Sequence, residues 1–202
     1  MKDIAELDIR PANEASWADL QAVFGERGSA SRCQCQRYKL QPRQTFAQEP
    51  VEERQHRLRE QTECGDPASG STSGLVAHLG DIAVGWCSVE PRPSFPGLRH
   101  SPVPWADRDE DRSDEFVWVV SCVLARAGYR RRGVSKALIR AAVDHARNRG
   151  ARVLEAYPMT TGSAISEELH HGLLASYLEA GFVEIGRPTL RRAVVQFRYL
   201  PD

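Results

Sequence analysis

The sequence predicts an α/β protein, one domain spanning residues 1–202 with a central mixed β-sheet and helices on both of its faces. The length suits one domain with a substantial core. Strand-like and helix-like patterns follow each other in the order β-α-α-β-β-β-α-β-α-β-β, which favours a mixed sheet over separate all-α or all-β layers. The most apolar run, "EFVWVVSCVLA", leads through a glycine- and arginine-rich turn into an amphipathic helix, a junction typical of α/β folds.

The first half of the chain predicts one strand, two helices and a hairpin. A short strand at Leu7–Arg10 precedes a helix at Glu14–Phe24, whose apolar residues recur at helical spacing. The segment "GERGSASRCQCQRYKLQP" is expected to be irregular, and a largely solvated helix is expected at Pro50–Glu63, with its proline in the first turn. The runs "LVAHL" and "IAVGWCSV" predict two strands joined at Gly80-Asp81 as a hairpin.

The second half predicts the centre of the sheet and its closing strands. Residues Glu90–Asp114 are expected to form a long loop, of a length usually reserved for functional or mobile segments. The run "EFVWVVSCVLA" is apolar at nearly every position, so this strand must be central and covered on both faces. The helix after it ends at Gly150, a residue suited to a C-cap. "ARVLEAY" predicts a strand, Ser166–Ala180 a helix, and "FVEIG" with "AVVQFRY" a closing pair of strands.

Composition narrows the classes of protein to consider. The 27 basic residues equal the 27 acidic ones, so the net charge steers no particular partner. The apolar runs are too short to span a bilayer, and "MKDIAELDIR" lacks the apolar core of a secretory signal. Five cysteines at irregular spacing suit a reducing compartment better than a disulfide framework. We therefore expect a soluble, cytoplasmic protein.

The turn "ARAGYRRRGVSKAL" has the composition of an anion-binding site. A helix that follows a buried strand presents unpaired N–H groups and its positive dipole end, and Gly128 and Gly133 let the backbone bend closely there. The turn lacks the Gly-Lys-Ser/Thr ending of a Walker loop and the three-glycine dinucleotide fingerprint. The alternative is an exposed arginine-rich turn that binds nothing.

These residues resemble a known family. "GYRRRGVSKAL" is similar to the acyl-CoA pyrophosphate motif of the GNAT superfamily of N-acetyltransferases, Arg/Gln-x-x-Gly-x-Gly/Ala, with Arg130, Gly133 and Ser135 at the three fixed positions. Ser135 departs from the usual glycine or alanine but is also small. "AVGWCSVEPR" resembles the third strand of the superfamily, and "YLEAGFVEIGR" its ending. "RCQCQRY" resembles an early Cys-x-Cys segment of one bacterial branch.

The resemblance implies an acetyl-CoA-dependent N-acetyltransferase that transfers the acetyl group directly within a ternary complex. It implies that the strand backbone binds the pantetheine arm and that a main-chain N–H near Ala125 polarises the thioester carbonyl. It also implies that the turn amides bind the pyrophosphate, while the turn arginines, and Arg126 as a further candidate, meet the phosphates. The cofactor-binding residues expected on this basis are Val123, Leu124, Ala125, Arg130, Arg131, Arg132, Gly133, Val134 and Ser135.

Tyr177 is the expected catalytic acid. It stands four positions before Gly181-Phe182, where the resemblance implies a tyrosine that protonates the departing sulfur. The alternative is an aromatic residue of the core, because neighbouring leucines have helical core spacing.

Glu155 is the expected general base. An alkyl ammonium has a pKa of about 10, so a base must take its proton at neutral pH. Glu155 is a lone acid in an apolar strand, where we expect a raised pKa, and some GNAT enzymes have a functional glutamate at the matching place. The alternative is a glutamate paired with an arginine such as Arg152. Glu90 and Glu115 are the reserve candidates.

Three further features bear on the site. His170 stands where many GNAT members carry an asparagine, and is either a proton relay or a solvated residue. The acidic stretch Ala106–Glu115 either attracts a cationic amine or is a solvated loop. The segment Arg32–Tyr38 falls where the resemblance implies an acceptor pocket. Its Cys33 and Cys35 are expected to be small packing residues, and no metal site is expected.

The expected acceptor is a primary amine of a small molecule, and a protein lysine or N-terminus is the nearest competitor. A non-catalytic acyl-CoA-binding module is the alternative from another class. Nucleic-acid binding is not expected, because the net charge is neutral and Tyr129 is the only aromatic residue interleaved with the arginines. No membrane partner is expected. The last strand, "AVVQFRY", either pairs across a homodimer or lies inside the sheet.

Overall fold

One mixed sheet organises residues 7–163 and 168–200, the part of the chain that the computed structural model describes. Its seven strands are β1 (Asp8–Pro11), β2 (Gly74–Leu79), β3 (Ile82–Pro91), β4 (Val117–Ala125), β5 (Val153–Ala156), β6 (Val183–Thr189) and β7 (Arg192–Arg198). They lie in the order β1-β2-β3-β4-β5-β7-β6. The pair β4 and β5 is parallel, and the other neighbours are antiparallel. The predicted mixed sheet is confirmed.

Helices cover both faces of this sheet, as predicted. They are α1 (Trp17–Phe24), α2 (Ser29–Cys33), α3 (Val51–Thr62), α4 (Pro102–Trp105), α5 (Val134–Asn148) and α6 (Leu174–Leu178). Successive residues of a strand point to opposite faces. On β3, Cys87 packs in the core cluster shared with α5, whereas its neighbour Trp86 packs with α1 and α3 on the other face.

The two long amphipathic patterns fold as expected, and their ends have local causes. Ser16 and Asp19 form a capping box at the start of α1, each side chain accepting a hydrogen bond from the other residue's backbone N–H. In α5 the buried residues recur at helical spacing, namely Val134, Leu138, Ile139, Ala142, Val143 and Ala146. Gly150 follows α5 with φ of 83°, the left-handed conformation that ends helices at glycine.

Glycine at position 85 sets the depth at which α5 sits on the sheet. A Cβ at this position would lie 2.5 Å from Cγ1 of Val134 and 2.9 Å from Cδ1 of Leu138. Gly85 pairs with Ala125, the last residue of β4. The absent side chain therefore lets the first turn of α5 pack close to the end of β4.

The predicted helix Ser166–Ala180 is wrong in the part that the structure describes. Residues 164–167 lie outside the described residues, and the rest forms a 3-10 turn at Leu169–His171 followed by the short helix α6. Between them Gly172 has φ of 73°, and the ring of Tyr177 fills the space where a Cβ would stand, 2.9 Å from its Cε2. Leu173 is extended and forms a bridge with Met159, so a tertiary strand contact replaces the helix.

Two expected loops contain short helices, and the last strand is internal. α2 lies in the segment expected to be irregular, and two 3-10 turns, Arg92–Ser94 and Pro96–His100, precede α4 within the expected loop Glu90–Asp114. β7 lies between β5 and β6 in the same sheet, so the strand that was considered for dimer pairing is used within the chain. No helix in the described residues is long and apolar enough to cross a membrane.

Candidate active site

β4 carries a β-bulge on its β3 side at the point where its pairing with the parallel strand β5 ends. β3 pairs with β4 through Val89 and Val120 and then through Ser88 and Cys122, so Ser121 is the extra residue on β4. Pairing between β4 and β5 runs from Val117 to Val120 and ends there in the described residues. The second half of β4 therefore borders a wedge in the sheet, which we call the β4–β5 wedge.

The backbone groups of β4 that face this wedge are those of Val123 and Ala125. The N–H of Arg126 donates to the carbonyl of Val84 at 2.8 Å, so backbone groups of residue 126 face β3. Backbone direction alternates along a strand, which places the N–H and C=O groups of Val123 and Ala125 on the opposite edge, toward the wedge. The intervening Leu124 faces β3 with its backbone. A chain-like ligand in the wedge could therefore pair with Val123 and Ala125 as an added strand would.

The turn that follows β4 has the features of an anion-binding helix start. Gly133 is the N-cap of α5, with φ of 81°, and no side chain caps the first turn of the helix. Gly128 and Arg131 also have positive φ, 87° and 60°. Such a succession of turns points backbone N–H groups into one concavity. Ser135 lies half-buried in the first turn of α5.

The three successive arginines of this turn face solvent. Arg130, Arg131 and Arg132 are exposed, and within the described ranges no carboxylate forms a salt bridge with them. The guanidinium of Arg132 lies over the ring of Tyr129, 5.3 Å from its centroid. Arg126 differs, because its Nη1 donates to the carbonyl of Ala83 at 3.1 Å and so helps to hold β3. The turn therefore offers three cations and the uncapped amides of α5.

Tyr177 lies fully buried beside the wedge. Its hydroxyl donates to the carbonyl of His171 at 3.1 Å, and its ring packs edge-on against Phe182 at 5.2 Å between centroids. The 3-10 turn Leu169–His171 that supplies this carbonyl packs against β4. Burial raises the pKa of Tyr177 well above its usual value, with the thiols of Cys87 and Cys122 nearby acting in the same direction. The phenol therefore keeps its proton at neutral pH.

Tyr38 and His171 form a second aromatic pair next to Tyr177. The hydroxyl of Tyr38 lies 3.4 Å from Nε2 of His171, and the two ring centroids are 5.8 Å apart. Burial holds the pKa of His171 well below its usual value, and His170, Arg192 and Arg37 lower it further. His171 is therefore neutral at neutral pH. Burial raises the pKa of Tyr38, while Arg192 opposes that shift.

Glu155 is fully buried, and its surroundings differ from the expected apolar ones. Its Oε2 accepts from Nη2 of Arg108 at 2.6 Å and from Nε2 of Gln196 at 2.7 Å. Its Oε1 accepts from the Tyr157 hydroxyl at 2.6 Å, and the guanidinium of Arg92 lies 3.5 Å from Oε2. Both carboxylate oxygens are thus engaged by donors, two of them cationic.

Glu155 is paired with arginines, as the alternative interpretation expected, but the example considered, Arg152, is wrong. Arg152 pairs with Asp114 at 2.7 Å on the surface. Residues three apart on an extended chain point to opposite faces of a sheet, so Arg152 cannot reach the buried side of Glu155. The actual partners, Arg92 and Arg108, come from the long segment before β4, which folds over this face of the sheet.

The two reserve candidates lie in different settings. Glu90 is paired with Lys39 and accepts a hydrogen bond from the hydroxyl of Ser73 at 2.9 Å. Burial raises the pKa of Glu90, and the ammonium of Lys39 opposes that shift. Glu115 is exposed two residues before β4 begins, at the end of the strand opposite to the turn Gly128–Gly133. The acidic stretch Ala106–Glu115 leads into that same end of β4.

The cysteines near the bulge are free thiols. Cys35 and Cys122 are buried, and Sγ of Cys35 accepts a hydrogen bond from Nε1 of Trp86 at 2.9 Å. A hydrogen bond to Cys35 and burial raise the pKa of Cys122 well above its usual value. Across residues 7–163 and 168–200, no group of three or more His, Cys, Asp or Glu side chains is arranged to hold a metal ion.

Sequence reasoning missed four side chains that complete the site. Arg92 and Arg108 hold Glu155, and His171 with Arg192 meets Tyr38. These residues come from segments far apart in the chain, so no local spacing reveals them. The one available signal was the Arg32–Tyr38 segment, expected near an acceptor pocket, which does bring Tyr38 to this place. His170 stacks on His171 at 3.9 Å between ring centroids, and its part as a relay stays a prediction.

Comparison with known proteins identifies one family. The sequence model described as "Acetyltransferase (GNAT) family" matches residues 35–172, more than half of the chain. The matched range includes β4, the turn after it and β5. Among curated proteins no sequence matches significantly.

Solved structures share the fold along most of their length. The yncA protein of Salmonella typhimurium, solved with its cofactor acetyl-CoA, is 17% identical, with 95% of this chain and 93% of that chain covered and a TM-score of 0.53. A ribosomal-protein-alanine N-acetyltransferase of Brucella melitensis is 20% identical, with 95% and 99% covered and a TM-score of 0.53. A GCN5-related N-acetyltransferase of Kribbella flavida is 18% identical, with 96% and 98% covered and a TM-score of 0.54.

Proposed function

This chain belongs to the GNAT acetyltransferase family, and on that basis we propose that it transfers an acetyl group from acetyl-CoA to a primary amine of a small molecule. The observation that carries the proposal is the end of β4–β5 pairing beside the bulge at Ser121, which leaves the β4–β5 wedge next to the uncapped, arginine-rich start of α5. A narrow slot lined by strand backbone suits an extended amide-containing arm. A helix start with exposed arginines suits a pyrophosphate.

The directions of the Val123 and Ala125 backbone groups and the exposed turn support this assignment, whereas Leu124 turns its backbone to β3. Val123 and Ala125 would pair with the pantetheine amides, and the amides from Arg131 to Ser135 would bind the pyrophosphate. Arg130 and Arg132 would neutralise its charge. The N–H of Ala125 faces the wedge, where it can polarise a carbonyl placed beside it.

The reaction needs a neutral amine and a protonated leaving group. The amine nitrogen attacks the thioester carbon, a C–N bond forms, and the C–S bond breaks with its electron pair going to sulfur. The amine loses one proton to a base or to water, and the sulfur gains one. Tyr177 is the proposed donor of the second proton, because its hydroxyl keeps its proton at neutral pH and lies beside the wedge.

Direct transfer within a ternary complex agrees with the chemistry of the nearby thiols. A covalent acetyl-enzyme would need a thiolate, and the cysteine nearest the bulge, Cys122, has its pKa raised well above its usual value. Cys87 on β3 is also fully buried, and burial raises its pKa too. Neither thiol is activated for attack on a thioester, so the amine itself is the proposed nucleophile.

Glu155 as the general base stays a prediction, and its surroundings favour a positioning role. We expect Glu155→Gln to lower the free energy of unfolding by about 3 kcal/mol, since it leaves two buried guanidinium groups short of an acceptor. Urea unfolding measures this loss. Arg152→Gln, which breaks the exposed pair with Asp114, is the control and should cost less than about 1 kcal/mol.

The pH–rate profile of the same variant separates the two roles of Glu155. If the carboxylate takes the proton of the amine, the rise of kcat/KM with pH loses its lower limb in Glu155→Gln. If the carboxylate only holds Arg92 and Arg108, the profile keeps its shape at a lower plateau. If Glu155→Gln were as stable as the wild type, the ion pairs of Glu155 with Arg92 and Arg108 would not contribute to stability, and the positioning role would be contradicted.

The proposed function is tested by calorimetry with acetyl-CoA followed by a thiol-release assay with small primary amines. We expect micromolar binding of acetyl-CoA and release of one CoA thiol for each acetylated amine. Binding without release by any small amine, but with acetylation of peptide lysines or N-termini, would move the acceptor to proteins. Binding without transfer to either class would indicate an acyl-CoA-binding module, and no binding would overturn the proposal.

A further inference from the structure

A basic cavity lies on the surface next to Tyr38. Its volume is about 430 Å³, and it is lined by Arg37, by residues 40–44 and by residues 97 and 100. Two arginines, Arg37 and Arg43, and the imidazole of His100 contribute to the lining, and no acidic side chain does. The volume matches that of sites for small molecules.

The two arginines of this cavity keep their charge available. Within the described segments, neither Arg37 nor Arg43 forms a salt bridge with a carboxylate, although salt bridges are frequent elsewhere on the surface. Arg37 lies over the ring of Phe46 at 5.8 Å, a contact that orients it without neutralising it. Arg43 has φ of 73°, a conformation that is costly for a residue with a side chain.

The cavity wall is connected to the proposed acid through Tyr38 and His171. The N–H of Gly97, in the cavity wall, donates to the carbonyl of Tyr38 at 2.9 Å. From there the hydroxyl of Tyr38 reaches Nε2 of His171 at 3.4 Å, and the carbonyl of His171 accepts from Tyr177 at 3.1 Å. A small molecule held in the cavity at one end could extend along Tyr38 toward the β4–β5 wedge.

We propose that the cavity holds an oxyanion of the acceptor, so that the substrate is a small amine that also carries a carboxylate or phosphate ester. This proposal rests on the proposed acetyl transfer and names the class of its acceptor. The planar fork of a guanidinium binds a carboxylate or phosphate through paired N–H groups. Two such groups with no acid among their neighbours in the lining attract an anion and repel a simple alkyl ammonium.

Matched ligand pairs test this assignment directly by calorimetry. The probes are the common amino acids against their carboxamides and O-phosphoethanolamine against ethanolamine, each titrated with and without CoA. We expect at least one anionic member to bind about tenfold or more tightly than its neutral partner. The amino-acid arm and the phosphate arm show which oxyanion the cavity prefers. Equal binding in every pair would overturn the proposal.

Variants of Arg43 locate the effect. Arg43→Gln is expected to abolish the preference for the anion, and Arg43→Lys to keep part of it, while acetyl-CoA binds all variants equally. Arg27→Gln removes the same charge from an exposed arginine outside the cavity lining and should change nothing. If Arg43→Gln and Arg37→Gln both still bound the anionic ligand more tightly than its neutral partner, the cavity would not be the oxyanion site. If acetyl-CoA fails to bind while the preference is present, the proposed acetyl transfer fails and the oxyanion site stands.

Discussion

Tyr177→Phe is expected to lower kcat about 100- to 10,000-fold, the usual contribution of a positioned acid, while the Kd of acetyl-CoA stays unchanged. The hydroxyl is the only group removed, and the phenyl ring still fills the space beside Gly172 and packs on Phe182. The backbone carbonyl of His171 loses its partner, which costs about 1–2 kcal/mol of stability. Steady-state kinetics with calorimetry of acetyl-CoA binding measures both effects.

Tyr199→Phe is the matched control for this loss. The Tyr199 hydroxyl also donates to a backbone carbonyl, that of Val143, at 2.7 Å, but it lies at the end of β7 on the α5 side. Its removal should cost similar stability with little effect on kcat. Equal kcat in Tyr177→Phe and the wild type would refute the acid role, and equal losses in both variants would show a purely structural effect. If proton donation by Tyr177 limits the rate, the dependence of kcat on pH should differ between Tyr177→Phe and the wild type.

Replacing Arg130 and Arg132 together by alanine is expected to raise the Kd of acetyl-CoA about 100-fold, about tenfold for each lost charge-assisted contact. Both arginines are exposed in the turn before α5, so the variant should fold normally. The uncapped amides at the start of α5 remain, and so weak binding should persist. The loss should shrink at high salt, since exposed charges are screened. Calorimetry at two salt concentrations measures it.

The control for this pair removes the same charge elsewhere. Arg27 and Arg59 are exposed arginines, and Arg59 belongs to α3, on the face of the sheet opposite to α5. Their double replacement by alanine should leave the Kd unchanged. An unchanged Kd in the Arg130 and Arg132 variant would mean that the amides alone bind the cofactor. Titration of the variant with CoA and with dephospho-CoA shows which phosphate the two arginines contact.

The elements predicted from the sequence are those with a strong local cause. β4 is apolar along its whole length, α5 has apolar residues at helical spacing, and Gly133 and Gly150 stand at the two ends of this helix. Each of these signals acts within a few residues, so the sequence alone predicts them. The turn between β4 and α5 follows for the same reason, since it is defined by the junction of these two elements.

The failed helix at Ser166–Ala180 shows where a local pattern is overruled. The leucines around Tyr177 have helical spacing, yet Gly172 and Leu173 turn and extend to bridge Met159. This contact joins segments that the sequence gives no reason to pair. Backbone hydrogen bonds to Met159 replace those of the helix, and the ring of Tyr177 occupies the space that only glycine leaves open.

The sequence by itself determined the sheet class, the family and the turn that follows β4. Only the tertiary structure decided the bulge at Ser121, the partners of Glu155 and the meeting of Tyr38 with His171. The physical reason is the sequence separation over which each kind of interaction acts. Periodicity and capping act between residues a few positions apart, whereas a buried carboxylate takes its charge partners from whichever segments fold over it, here residues 92 and 108.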